Sequence, residues 1–368
     1  MSLLIFFIIL FILVISHEFG HFIVAKMLGI KVDEFGFGFP PRIFGVKFGE
    51  TLYSLNWLPF GGFVKIYGED NESLEDSGHQ EDKSRSFVNK SKTVQASVIV
   101  AGVVFNLLLA WFLVSVGFMS GRPLPLGSAP AGVELTDSKL LITRVLNGSP
   151  AKEAGLSAGD NIILLSSGAE SIQDPSVKEV QEFIQNHPEE LSMIYKRGED
   201  PVKEVSLIPQ EGVIEGKYAV GISMDIVVNV KLGLFRAFYH GFFTTANIFY
   251  MTILGIGSFI FQAFTGGASL QSVAGPVGLV GIVGDAYGFG FIYLVGLTAL
   301  ISVNLAVLNL IPFPSLDGGR LLFIIIESIK GSPISPRIAM GVNMAGFFAL
   351  ISLTLFITYS DVLKLIGS

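Results

Sequence analysis

A chain of 368 residues with 51% hydrophobic side chains, 15% charged ones and a formal net charge of −7 is too apolar for an ordinary soluble protein of its length. The acidic balance, with no Lys- or Arg-rich stripe, excludes the concentrated basic surface that nucleic acid needs from a partner. Cysteine is absent, which excludes disulfides and thiolate metal sites and leaves nitrogen and oxygen ligands for any metal.

A helix that crosses a bilayer needs about 20 mostly apolar residues. Met1–Ala25 meets this, and because it lacks a basic leader and a small-residue cleavage site it reads as a retained span, not a signal peptide. Val94–Phe118, Phe291–Ile311 and Ala339–Ile357 are the further spans, and Phe242–Phe264 is a fifth uncharged stretch. Lys26 and Lys31 follow the first span, Lys83, Arg85, Lys90 and Lys92 precede the second, and Arg320, Lys330 and Arg337 lie between the last two. All three clusters share the cytoplasmic side only if Phe242–Phe264 does not cross. The expectation is therefore four spans, both termini extracytoplasmic, and Phe242–Phe264 lying along or dipping into the outer interface.

Between the second span and that fifth stretch, charge rises and apolar residues alternate over roughly Gly127 to Asn229. "KLLITRVLNGSPAKEAGLSAGDNIILLSSG" reads as strand, loop, short helix stopped near Gly155, a Gly-Asp turn and a second strand. Val177, Val180 and Ile184 recur at helical spacing, and "LSMIYKRGEDPVKEVSL" reads as a hairpin. The order resembles a circularly permuted PDZ domain.

"SHEFGHF", Ser16 to Phe22, sets three ionisable groups inside the first span, where each costs several kcal/mol and persists for function. On a helix His17 and His21 lie on one face a turn apart, so both can turn a ring nitrogen to one ion. Glu18, offset by one residue, can approach a water whose pKa the ion lowers and act as its base. This is the H-E-x-x-H arrangement of zinc metalloproteases. A third protein ligand is required, and "NLIPFPSLDGGRL" supplies Asp317 at the inner end of the third span. Pro312 and Pro314 break the helix there, and Gly318-Gly319 lets the chain turn tightly after the acid. His79, His187 and His240 fall in loop or interfacial contexts and take no role.

HEFGH in a first span, a PDZ-like insert after the second, and N-x-x-P-x-P-x-L-D-G-G in a later one together resemble the site-2 protease family of intramembrane zinc metalloproteases, most closely its bacterial RseP-like branch. The resemblance implies His17, His21 and Asp317 as Zn2+ ligands, Glu18 as catalytic base, and Asn309 and Asn106 as substrate-binding residues, Asn106 stabilising the oxyanion. The family's G-P-x-x-N is "GVVFN" here, with Val103 where proline is expected, and the insert has room for one PDZ-like domain where tandem pairs are common. "FGFGFPPRIFGVKFGETLYSLNWLPFGGFVKIYGE" resembles the family's membrane-associated β-hairpin region, whose strand edge would hold an unwound substrate by β-augmentation.

The expected fold is thus an α-helical polytopic membrane protein with four transmembrane helices, a membrane-associated β-hairpin region and an inserted PDZ-like α+β domain. Its parts are transmembrane helix 1 over 1–26, the β-hairpin region and cytosolic loop over 30–92, and transmembrane helix 2 over 93–120. An extracytoplasmic PDZ-like domain follows over 127–229, then interfacial amphiphilic helices over 230–275, transmembrane helix 3 over 276–330 and transmembrane helix 4 over 331–368. The expected activity is zinc-dependent cleavage of transmembrane segments in regulated intramembrane proteolysis, in the bacterial cytoplasmic membrane. The lipid bilayer would be one partner, and the resemblance implies single-span substrates such as anti-sigma factors or signal-peptide remnants. The rival readings are a non-proteolytic zinc-binding scaffold or sensor with a PDZ module, and an ion transporter, for which no inverted repeat is evident.

Overall fold

The computed structural model describes residues 1–69, 83–128, 135–198, 200–214, 217–266 and 275–366. His79 lies outside them. The chain divides into two compact units, one of residues 1–114, 241–284 and 296–368, the other of 115–240 and 285–295.

The first unit opens with α1 (Ser2–Met27), an apolar helix that carries Ser16, His17, Glu18 and His21 and ends where Gly29 takes a left-handed φ of +68°. Two long strands follow, β1 (Val32–Phe48) and β2 (Thr51–Ile66). They fold on themselves. The first part of β1 pairs on one side with Gly62–Ile66 and on the other with Leu52–Leu55, while the rest of β1, from Arg42 on, pairs with Thr51–Asn56. The edges of this small sheet are therefore Gly62–Ile66 and the distal part of β1. Ile43, Phe44, Val46, Phe48 and Trp57 are all exposed, an apolar ribbon that water would not tolerate.

α2 (Lys92–Ser120) is the second long apolar helix, and it crosses α1 closely: a methyl on Gly20 would fall 2.4 Å from the Ala101 carbonyl oxygen. Ala25, Ile30, Val32, Ile66, Phe87, Val98 and Ile324 form one buried cluster joining α1, both strands and α2 to a helix near the C-terminus.

The second unit carries β3 (Arg122–Pro125), β4 (Leu135–Val145), the single turn α3 (Pro150–Glu153), β5 (Asp160–Ser167) and β6 (Glu170–Gln173). It continues with α4 (Val177–Asn186), β7 (Leu191–Arg197), β8 (Lys203–Leu207), β9 (Gln210–Ile214), β10 (Lys217–Ala219) and β11 (Ile222–Val230). Strand, short helix, strand, helix and hairpin fall where the hydrophobic pattern sets them. α4 starts at a reciprocal capping box between Ser176 and Glu179, and its Val180, Phe183 and Ile184 close the core over Leu140, Ile142, Ile162, Leu165 and Met193. The sheet runs in the order β3-β11-β4-β5-β7-β8, so β11, which the sequence reading left unassigned, lies between β3 and β4.

The C-terminal part comprises α5 (Leu234–Thr265), α6 (Pro276–Phe289), α7 (Phe291–Leu310), α8 (Asp317–Lys330) and α9 (Pro336–Ile366). Five helices, α1, α2, α5, α7 and α9, are long and apolar enough to cross a membrane. The chain is a polytopic membrane protein with β-sheet in its middle. α7 stops at Leu310, where Pro312 and Pro314 follow, so Asp317 opens a new helix where the sequence reading had it close a span. Gly318 and Gly319 lie in that helix's first turn, and neither takes a positive φ. What demands glycine is crowding: methyls there would fall 2.2 and 2.3 Å from the carbonyl oxygens of Ile311 and Phe313.

Candidate metal centre

His17 and His21 point from one face of α1, with both rings buried. Asp317, the first residue of α8, meets them: its Oδ2 is 3.0 Å from His17 Nε2 and 3.3 Å from His21 Nε2, and the two Nε2 atoms are 3.2 Å apart. Among the described residues these three are the group able to hold a metal ion.

The nature of the converging atoms tests the fit. His21 Nδ1 lies 2.8 Å from the Val98 carbonyl oxygen, which can only accept, so the ring's proton sits on Nδ1 and the Nε2 lone pair faces the centre. Asn106 stands 3.3 Å from His17 Nδ1 by its Nδ2, while its Oδ1 is buried without a partner. A half-turn of the amide exchanges those two ends, which allows the oxygen to accept the His17 Nδ1 proton and frees that Nε2 as well. Asp317 Oδ2 is buried with no donor of its own. Three acceptors converging in a buried space are repulsive unless a cation lies among them. Ligands bonded at 2.0–2.1 Å in a tetrahedron stand about 3.3 Å apart, close to all three separations. The residues fit zinc.

Close packing holds the donors there. A methyl on Gly102 would fall 2.4 Å from His21 Nε2 and 2.7 Å from His17 Cε1, so only glycine admits both rings. Ser302 on α7 donates to the Asn106 carbonyl oxygen at 2.7 Å, and Ser16 donates to that of Phe105 at 3.2 Å, tying α7 and α1 to α2 at this level. The sequence reading gave no role to Gly102, Ser302 or the Val98 carbonyl. The first had a signal, since Gly102 and Asn106 are a helical turn apart and share a face; a backbone carbonyl has none.

Glu18 is half-buried beside the pair, and its stem lies against β2: a methyl on Gly62 would fall 3.1 Å from Glu18 Cγ. Asn309 reaches the same centre from the end of α7, its Nδ2 3.4 Å from His17 Nε2. Among the two asparagines, then, Asn309 faces the metal side of His17 and Asn106 the far side. His187 is spent on closing α4, 2.9 Å from the Phe183 carbonyl oxygen and 3.2 Å from Glu170.

Charges anchor the unit around this centre. Glu50, at the turn between β1 and β2, accepts from Arg85 and Lys26, which together hold its carboxyl down at about 2. On α8, Arg320 pairs with Glu69, and Glu327 pairs with Lys92 of α2 at 2.5 Å.

Comparison with known proteins gives the same chemistry. The chain is 32% identical over 353 residues to a Clostridium acetobutylicum protein provisionally named zinc metalloprotease, covering 95% of this chain and 94% of that protein. A Clostridium perfringens protein with the same provisional name is 35% identical over 354 residues, covering 95% of each. Zinc metalloprotease RasP of Bacillus licheniformis is 30% identical over 428 residues, covering 96% of each chain. The model of Peptidase family M50 matches residues 5–353, so that the chain belongs to this family, the site-2 proteases, and is a membrane zinc metalloprotease.

Proposed function

We propose that His17, His21 and Asp317 hold the zinc and that Glu18 is the general base for hydrolysis of a peptide bond within a transmembrane segment of a membrane-anchored regulatory protein. The single observation that carries this is the convergence of two imidazoles and one carboxylate, with a second carboxyl, Glu18, beside them on the apolar helix α1. Zinc held by these residues would supply Lewis acidity to the scissile carbonyl and to the attacking water. Glu18 takes the proton from the attacking water and returns it to the leaving amine. Asn309 donates its amide to the substrate at the metal side of His17. Asn106 orients His17 through Nδ1, a positioning role in place of the oxyanion contact expected from the resemblance.

The edge strand Gly62–Ile66 supports the substrate class. It pairs on one side only and passes Glu18 at Gly62. An unwound transmembrane segment laid along that edge presents its carbonyls to the centre, which a helix cannot do. Single-span proteins such as anti-sigma factors or signal-peptide remnants have the required form.

Four spans, with α5 dipping in from the outer interface without crossing, are argued from depth. Asn106 and Asn309 both meet His17, and the Lys92–Glu327 pair sets the start of α2 beside α8, which follows the end of α7. Trp111 and Asn304 therefore lie on the same side of the centre, each about 7.5 Å from it along its helix. α5 touches both, through Phe242 and Thr252, two residues about 15 Å apart along its own axis. A helix that meets one depth at both points runs across the spans. With the Lys and Arg clusters cytoplasmic, both termini are extracytoplasmic.

The second unit is read as a single PDZ-like domain. Ile222–Ile226 of β11 has β4 on one side, whereas β3 pairs only with Val227–Val230 on the other. A groove of about 630 Å³ runs between this open edge and α4, floored by Ile184, Val220 and Met224. An extended peptide fits there as an added strand.

The scaffold reading predicts a closed site with four protein ligands, whereas three are grouped among the described residues, which leaves a position open. Co-expression of wild type and Glu18→Gln with candidate single-span proteins separates the readings. Release of a membrane-free fragment by wild type alone, with zinc kept in both, supports the protease. Equal release, or none from any substrate with function intact, supports the scaffold.

A further inference from the structure

In the second unit, alternation sends Leu140, Ile142, Ile162 and Tyr195 into the core and turns Lys139, Leu141, Asn161 and Lys196 to the opposite face of the sheet. Register aligns that face: Leu141 lies across from Asn161, Asn161 across from Lys196, and Lys139 across from Val227. The segment 285–295, where α6 ends and α7 begins, covers part of it. Its Phe289 ring comes so near that a methyl on Gly159, at φ +93°, would fall 2.3 Å from it. A cleft of about 180 Å³ remains, lined by Lys139, Lys196, Asn161, Asn229, Tyr293 and Phe289 among others, with no carboxylate in its lining.

We propose that this cleft binds the phosphate-bearing headgroup of an anionic phospholipid. Neither lysine takes part in an ion pair among the described residues, although the protein as a whole is acidic. By strand spacing and rise their Cα atoms stand about 12 Å apart across the row, a gap two extended lysines close on one phosphate lying over Leu141 and Asn161. The Asn161 side-chain oxygen is buried without a partner, and a hydroxyl or ammonium of the headgroup satisfies it. The Tyr293 phenol offers a further donor.

Position selects lipid over a free anion. Phe291 opens an apolar helix long enough to cross the membrane, and it is 76% exposed, with Tyr287 at 50%. Exposed aromatics at the end of a span mark the headgroup level, and basic clefts at that level take anionic headgroups. The cleft belongs to the second unit and shares no residue with the metal centre, so the proposal stands or falls independently of the proteolytic reading.

Native mass spectrometry of the detergent-purified full chain tests it, with phosphatidylglycerol, phosphatidylcholine and inorganic phosphate added separately. Wild type should retain phosphatidylglycerol in preference to phosphatidylcholine and retain no inorganic phosphate. Lys139→Gln with Lys196→Gln should weaken retention at least about tenfold, and Lys139→Arg with Lys196→Arg should restore it. Undiminished retention by the glutamine variant, failure of the arginine variant to restore it, or inorganic phosphate held as tightly as the lipid would each overturn the proposal.

Discussion

On the proposed reading Glu18, Gly102 and Asn106 do three different things for one centre, and substitution should separate them. Glu18→Gln removes a base but no ligand, so cleavage should fall by about 10²–10⁴-fold with zinc content unchanged. Gly102→Ala drives a methyl into both imidazoles and should lose zinc and activity together, as read by metal analysis of the purified protein. Asn106→Leu leaves His17 without its Nδ1 partner, and zinc affinity in a competitive chelator titration should drop about 10–100-fold. The pairing of His17 with His21 was legible in the sequence because the 3.6-residue period converts a spacing of four directly into a shared face. Asp317 was legible because few acids occur at membrane depth. The partners that fix the rings were not: a valine carbonyl leaves no trace in the residue it belongs to, and the orienting use of Asn106 depends on which face of α2 meets α1.

At the level of elements, the ion pairs on α8 do for Asp317 what packing does for the histidines. Lys92→Met removes one of the two partners of the Glu327 carboxylate, which keeps the Ile334 N–H, and should destabilise the protein by up to about 1 kcal/mol, seen as a slightly lower melting temperature in detergent. The Glu50 cluster makes a pH prediction. Because Arg85 and Lys26 depress its carboxyl to about 2, its contribution is full above the ordinary value near 4.5 and is lost as pH falls through about 2. The melting temperatures of wild type and Glu50→Gln should therefore differ at neutral pH and converge towards pH 2. The gap should be small, since Glu50 is a third exposed. Long apolar helices and the alternating strands of the second unit were evident from their periods. The double pairing of β1 was not, because register between two aromatic-rich strands is set by bulges at Gly36 to Phe44 that no local pattern announces. The Gly318-Gly319 pair was read as a turn for the same reason: crowding by Ile311 and Phe313 becomes visible only in three dimensions.

For the whole molecule, the proposed topology and the metal are one question, since the four-span arrangement brings Asp317 to the depth of the histidines with the basic clusters on one side. The native chain has no cysteine, so single-cysteine labelling is clean. Lys231→Cys and Gly266→Cys, at the two ends of α5, should both react with an impermeant reagent from outside the cell. Hydropathy counts α5 among five helices able to cross, and reaction at one end only would favour that count over the four proposed. The most direct test of the account is the zinc content of wild type and Asp317→Asn, purified in parallel and compared by X-ray absorption. The account predicts about one zinc per wild-type chain, with two imidazole nitrogens and carboxylate oxygen around it, and little or none in the variant; an Asp317→Asn protein with full zinc and an unchanged spectrum would contradict it.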